Sequence, residues 1–65
     1  MTLPSAAYLR FPQGSRWVVK IEKGKGSLAV VKDHDFSRGL IGLEFPWGFD
    51  WATPEQAEEN LEPAK

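Results

Sequence analysis

The sequence contains no cysteine, so neither a disulfide framework nor a thiolate zinc site can stabilise the fold. No uninterrupted apolar run approaches the roughly 20 residues that a membrane-spanning helix requires. The first residues also lack the basic-then-apolar layout of a signal peptide. From these absences we expect a soluble cytoplasmic protein that has no membrane partner.

The chain has 65 residues, which predicts one small domain over residues 1–65. A chain this short buries only about 60% of the surface that its unfolded form exposes, so its stability should be marginal. Three tryptophans and four phenylalanines supply large buried areas, which can compensate for the small size. The apolar fraction of 42% is typical of a folded protein rather than a disordered one.

Charge is unevenly distributed along the chain, although the net charge is only −1. Residues 1–32 contain six basic side chains and one acidic one, whereas residues 33–65 contain eight acidic side chains and two basic ones. Such asymmetry can mark a partner-binding face. We favour the simpler interpretation that the two halves attract each other in the fold.

Alternation of apolar and polar residues predicts a small sheet. The predicted strands are residues 8–11, 16–22, 27–32 and 40–45. Strand 27–32 is apolar on both faces and is therefore predicted to be central. Residues 1–7 are predicted to form a flexible arm, and residues 33–39 a polar loop.

A helix is predicted over residues 53–62. Thr53 can act as the N-cap, Pro54 suits the first helical position, and Gln56 can complete a capping box. Pro63 should end the helix. The expected fold is α+β, with a three- to four-stranded, mostly antiparallel sheet and one C-terminal helix.

The segment Gly42–Trp51 contains two tryptophans and two phenylalanines around a Pro-Trp-Gly turn. Exposed aromatic side chains often anchor protein interfaces. Trp47 should be the most exposed tryptophan, whereas Trp17 and Phe45 should belong to the core. The predicted partner-binding residues are Trp47, Phe49, Asp50 and Trp51.

Four basic residues could bind an anionic ligand or a nucleic-acid strand: Arg16, Lys20, Lys23 and Lys25. The neighbouring residues Asp33, His34 and Asp35 are potential metal ligands, but adjacent loop residues rarely point at one ion. His34 is the only histidine, and no residue around it indicates nucleophilic catalysis. We therefore predict no catalytic residue, no metal site and no cofactor.

Residues 17–57 resemble the N-terminal half of a Nudix hydrolase domain. The resemblance lies in Leu-Glu-Phe-Pro-Trp-Gly at residues 43–48 and in Thr-Pro-Glu-Gln-Ala at residues 53–57. It implies a Nudix-like half-sheet with an open strand edge, and open edges seek partners.

The glutamates that hold magnesium in that family have no counterpart at the matching positions. When the signature is aligned on Gly48, Pro54 stands where the family has a glutamate. When it is aligned instead on Thr53-Pro54-Glu55, the later signature pairs fall on Asn60-Leu61 and Ala64-Lys65. Hydrolysis of a diphosphate linkage needs clustered carboxylates that hold the metal. The resemblance thus implies a protein that does not catalyse this reaction by itself.

Three functional hypotheses follow from the sequence. The first is a non-catalytic interaction module that binds a protein partner, or a copy of itself, through an open sheet edge and the aromatic junction. The second is a part of a split Nudix-type phosphohydrolase that another chain completes. The third is an SH3-like module that binds nucleic acid, which the slightly negative net charge makes a lesser alternative.

Overall fold

The computed structural model describes residues 9–64 and has an α+β fold, as the sequence predicted. Its elements in chain order are β1 (Arg16–Val19), β2 (Leu28–Asp35), β3 (Leu40–Phe45), β4 (Gly48–Ala52), α1 (Pro54–Asn60) and β5 (Leu61–Pro63). The sheet has five strands rather than three or four. The predicted arm at residues 1–7 lies outside the described residues. Among residues 9–64, no helix has the length and apolar character that crossing a bilayer would require.

All neighbouring strands of the sheet are antiparallel, in the order β4-β3-β2-β1-β5. The central position of β2 confirms the prediction made from its two apolar faces. Because β5 returns to pair with β1, the two edge strands are β4 and β5.

The core lies on one side of the sheet, which we call the inner face. Its buried side chains are Phe11, Val19, Ala29, Val31, Ile41, Leu43, Ala57 and Leu61. Trp17 and Phe45 pack against this cluster but stay partly exposed, so they border the core rather than fill it. Trp47 is 60% exposed, more than either other tryptophan, which confirms the prediction for it.

Residues 8–11 were predicted as a strand, but Leu9 and Arg10 are helical, and Tyr8 lies outside the described residues. Phe11 instead lies fully buried against Trp17, with the ring centroids 4.4 Å apart.

The predicted loop at residues 33–39 starts too early, because β2 continues to Asp35 beyond a register shift between Val31 and Asp33. The polar residues at positions 33–35 suggested a loop, but they can lie in a strand because their side chains have polar partners. His34 Nε2 lies 2.6 Å from the carbonyl oxygen of Phe11, and Asp33 accepts a hydrogen bond from the His34 amide. Only residues 36–39 form the turn.

Asp35 fixes this turn through two side-chain hydrogen bonds. Arg38 Nε donates to Asp35 Oδ2 at 2.6 Å, and Ser37 Oγ donates to Asp35 Oδ1 at 2.8 Å. The hydrogen bonds from Arg38 and Ser37 lower the pKa of Asp35 from 3.8 to about 2.

We expect the Asp35→Asn substitution to destabilise the protein in a pH-dependent way. A depressed pKa stabilises the folded state fully above the unfolded pKa of about 4, and this stabilisation is lost as the pH falls through the folded value of about 2. The difference in urea midpoint between wild type and Asp35→Asn should therefore be constant above about pH 5 and should shrink towards about pH 2. A difference that stayed constant over this range would contradict the assigned role of the carboxylate.

The segment after Pro46 was predicted as a turn leading into a helix, but it contains an additional strand, β4. Pro46 and Trp47 form the two-residue turn of the β-hairpin that β3 and β4 make. Gly48 has a φ of 140°, a value that side-chain-bearing residues rarely adopt. The aromatic junction is therefore a strand–turn–strand unit followed by the helix.

The start of α1 matches its prediction. Thr53 Oγ1 accepts from the Gln56 amide at 3.1 Å, and Gln56 Oε1 accepts from the Thr53 amide at 3.1 Å, which is the predicted capping box. The predicted end is wrong, because the helix stops at Asn60 and Leu61 opens β5. Leu61 pairs with Val19 of β1, and its side chain is buried in the core.

Candidate partner-binding site

Within residues 9–64, β4 has one edge that pairs with no strand, which we call its free edge, and the predicted site residues surround it. Phe45 pairs with Gly48 across the two-residue turn, so these residues exchange backbone hydrogen bonds. In an antiparallel pair, every second residue directs its backbone N–H and C=O groups at the neighbouring strand. Asp50 lies two residues after Gly48, so its backbone groups also point at β3. Phe49 and Trp51 consequently point theirs away from the sheet, where a further strand could pair.

Asp50 partly protects this edge. Its Oδ1 accepts a hydrogen bond from the backbone N–H of Trp51 at 2.9 Å. That N–H is one of the outward donors, so a neighbouring carboxylate occupies a group that a docking strand would use. Charged side chains on edge strands commonly limit uncontrolled pairing between sheets.

Phe49 and Trp51 lie on the outer face of the sheet, opposite the core. Their rings meet edge to face with centroids 5.2 Å apart, and Phe49 is 49% exposed. Both cover Gly42, where an added β-carbon would lie 2.6 Å from Phe49 Cζ. The guanidinium carbon of Arg38 lies 5.6 Å from the Trp51 ring centroid, within the range of a cation–π contact.

Trp47 and Asp50 border a groove on the inner face. The groove has a volume of about 410 Å³, and core residues of β3 and α1 form its apolar floor. Trp47 forms one wall by stacking on Phe45, with a centroid separation of 4.9 Å and an interplanar angle of 5°. Polar side chains at the groove are Lys23, Asp50, Gln56 and Asn60.

Gly24 in the turn between β1 and β2 supports the Trp47 wall. A β-carbon built at Gly24 would lie 2.6 Å from Trp47 Cη2, so this close approach requires glycine. Gly24 also has a φ of 86°, which favours glycine independently of the space available. The exposed indole is thus held at the groove by the turn.

The four residues predicted to bind a partner therefore surround one strand edge from two faces. Trp47 and Asp50 lie towards the groove, and the rings of Phe49 and Trp51 lie on the outer face. The sequence indicated the segment that contains these residues. It did not indicate that residues 48–52 form a strand, so the side chains could not be assigned to the two faces of the sheet.

The structure does not bring together the four basic residues that were predicted to bind an anion. Arg16 pairs with Val30 in the sheet, Lys20 lies beside β5, Lys23 borders the groove, and Lys25 lies in the turn before β2. Within residues 9–64, none of these four side chains forms an ion pair.

The Asp33-His34-Asp35 segment alternates across the sheet. His34 pairs with Ile41 on the inner side, whereas Asp33 and Asp35 pair with Gly42 and Leu40. No group of three or more acidic or histidine side chains in the described part of the chain is arranged to hold a metal ion.

Two site residues were not identified from the sequence. Gly42 permits the rings of Phe49 and Trp51 to approach β3 closely, and a glycine inside a strand pattern is a recognised sign of such close approach. Arg38 contacts Trp51 from the β2–β3 turn, and no spacing in the sequence indicates this contact.

Comparison with protein-family models, curated proteins and solved structures found no match for this chain. Functional inference consequently depends on the geometry and chemistry of the chain itself.

Proposed function

We propose that this protein is a non-catalytic interaction module that binds an extended segment of another protein along the free edge of β4. The observation that carries the proposal is the position of this edge between two exposed aromatic groups. Trp47 is 60% exposed on one side, and Phe49 is 49% exposed on the other.

An added strand would be held by its backbone and recognised by its side chains. The outward backbone groups of Phe49 and the outward carbonyl of Trp51 can pair with an extended segment, as in other cases of strand addition to a sheet edge. The Trp51 N–H can join this pairing when it exchanges its hydrogen bond to Asp50 Oδ1 for one to the added strand. Side chains of a strand alternate between faces, so successive residues of the bound segment would contact the inner groove and the outer face in turn.

The aromatic side chains supply the affinity in this proposal. Tryptophan and other aromatic residues are enriched among the residues that dominate binding energy. The stack of Trp47 on Phe45 and the contact of Phe49 with Trp51 hold these rings in place before binding. Such preorganisation lowers the entropic cost of binding.

The test is selection of peptides from a random display library, followed by affinity measurement in solution. Phe49→Ala should weaken binding of the selected peptides by about tenfold or more, because it removes an aromatic contact beside the edge. Phe36→Ala is the matched control, since Phe36 is 55% exposed but lies in the β2–β3 turn, and it should change affinity by less than about twofold.

Two other outcomes are informative. Concentration-dependent dimerisation in sedimentation equilibrium, lost in Phe49→Ala, would identify a second copy of the chain as the occupant of the edge. No selected peptide together with a monomer at all concentrations would contradict the proposal. Equal effects of the two phenylalanine substitutions would also contradict it, because the site would then not be at β4.

A further inference from the structure

We infer that the segment bound at β4 carries a lysine or arginine directly opposite Asp50, with an apolar residue on each side of it. This inference rests on the proposed function and specifies its ligand. It follows from the negative charge of Asp50, from the groove beside Asp50, and from the alternation of side chains between the two faces of an added strand.

Asp50 is an exposed carboxylate with no cationic partner within residues 9–64. It lies at the groove, and its hydrogen bond to the Trp51 amide leaves the second carboxylate oxygen available. A side chain directly opposite Asp50 in an added strand would enter the same groove.

The groove suits a basic side chain in two respects. Its apolar floor can accept the methylene stem of lysine or arginine, while the charged end reaches the carboxylate. The Trp47 wall adds an indole, the best aromatic partner for a cation. Lys23 also lies at the groove but forms no ion pair with Asp50, so the carboxylate remains available.

The residues next to this basic position would face the opposite way. They would lie beside Phe49 and Trp51 on the outer face, where apolar side chains gain most from contact with the rings. The recognised pattern is therefore apolar–basic–apolar in an extended segment.

The same carboxylate disfavours a second copy of the chain as the occupant. An antiparallel β4–β4 pair that stacks Phe49 of each copy on Trp51 of the other places the two Asp50 side chains directly opposite each other. Like charges in directly opposed positions destabilise a strand pair. Asp50 thus selects for a partner of opposite charge at this position.

The experiment uses the intact protein, labelled with ¹⁵N, and three synthetic peptides of sequence Thr-Thr-Val-X-Val-Thr-Thr. X is lysine, leucine or glutamate, and the symmetric sequence permits either strand direction. We expect the lysine peptide to bind on the order of tenfold more tightly than the leucine peptide, and the glutamate peptide to bind most weakly. The amide resonances of Phe49 and Trp51 should move in each titration, and the preference for lysine should fall at high salt.

Two variants of Asp50 make the test specific. Asp50→Asn keeps an oxygen that can accept from the Trp51 amide but lacks the charge, so the preference for lysine over glutamate should nearly disappear. Asp50→Lys should reverse the preference. The dispersion of amide resonances reports whether each variant is folded, and Asp50→Asn is the decisive variant if Asp50→Lys does not fold.

The outcomes separate this inference from the proposal beneath it. Equal binding of the lysine and glutamate peptides, with shifts at Phe49 and Trp51, would overturn the inference and leave the interaction module supported. Binding of none of the three peptides would overturn this ligand pattern, and peptides selected from the library would then decide whether the edge binds at all. An unchanged lysine preference in Asp50→Asn would also overturn the inference.

Discussion

Replacing Phe11 with alanine is expected to remove about a third or more of the unfolding free energy of the protein. Phe11 is 1% exposed and is the largest of the fully buried side chains. It lies outside the sheet and the helix α1. Removing a buried phenylalanine typically costs about 3–5 kcal/mol. A domain of this size has a total unfolding free energy of about 3–10 kcal/mol, so the loss is a large part of the whole stability.

Phe11 has this effect because its buried ring packs in the core beside Trp17. Its ring lies 4.4 Å from the Trp17 ring centroid, and its carbonyl oxygen lies 2.6 Å from His34 Nε2. The same short segment is tied to α1 by the Arg10–Glu58 ion pair at 2.6 Å. That pair is exposed and contributes about 0–1 kcal/mol, so burial of the Phe11 ring is the larger contribution.

Urea unfolding followed by tryptophan fluorescence and circular dichroism would measure the effect. Leu9→Ala is the matched control, because Leu9 is 76% exposed in the same segment and should change stability by less than about 0.5 kcal/mol. Phe11→Leu should remain folded and lose less than about 1.5 kcal/mol, which keeps the prediction measurable if the alanine variant does not fold. Similar urea midpoints for Phe11→Ala and Leu9→Ala would show that the ring does not support the core.

Features with short-range causes were predictable from the sequence. The capping box of Thr53 and Gln56 depends on residues three apart, and the structure contains both of its hydrogen bonds. The central position of β2 followed from its apolar run, which is typical of a strand inside a sheet rather than at its edge. In each case the cause lies within a few residues of its effect.

Features with long-range causes were not predictable in the same way. Leu61–Pro63 forms a strand only because the far side of β1 is free to pair with it, about forty residues earlier in the chain. That pairing competes with a further turn of α1, and the helix ends at Asn60. A prediction from local propensity cannot include this competition, because tertiary contacts decide it.

The candidate site shows the same division between local and long-range causes. Clustering of aromatic residues was enough to indicate Trp47, Phe49 and Trp51 from the sequence. Their division between two faces depends on the two-residue turn that sets the register of β4 against β3. A shift of one residue would exchange the faces, placing the rings of Phe49 and Trp51 at the groove and Asp50 on the outer face.

Gly42→Val is expected to disturb both the stability of the sheet and the binding edge. A β-carbon at residue 42 would lie 2.6 Å from Phe49 Cζ and 3.1 Å from Trp51 Cζ3, so the larger valine side chain must displace both rings. Overpacking of this kind typically costs about 1–3 kcal/mol. Valine by itself favours a strand, so a net loss of stability would identify the rings as the cause.

A double-mutant cycle with Phe49→Ala isolates this cause. Once Phe49 is alanine, the closest obstacle to valine is gone, so the cost of Gly42→Val should fall by about 1 kcal/mol or more. Urea midpoints of the four proteins give the coupling free energy, and peptide titrations of Gly42→Val should show weaker binding, because Phe49 and Trp51 have moved at the β4 edge. An equal cost of Gly42→Val in both backgrounds would mean that the backbone of β3 resists the substitution, and that Gly42 does not position the aromatic side of the site.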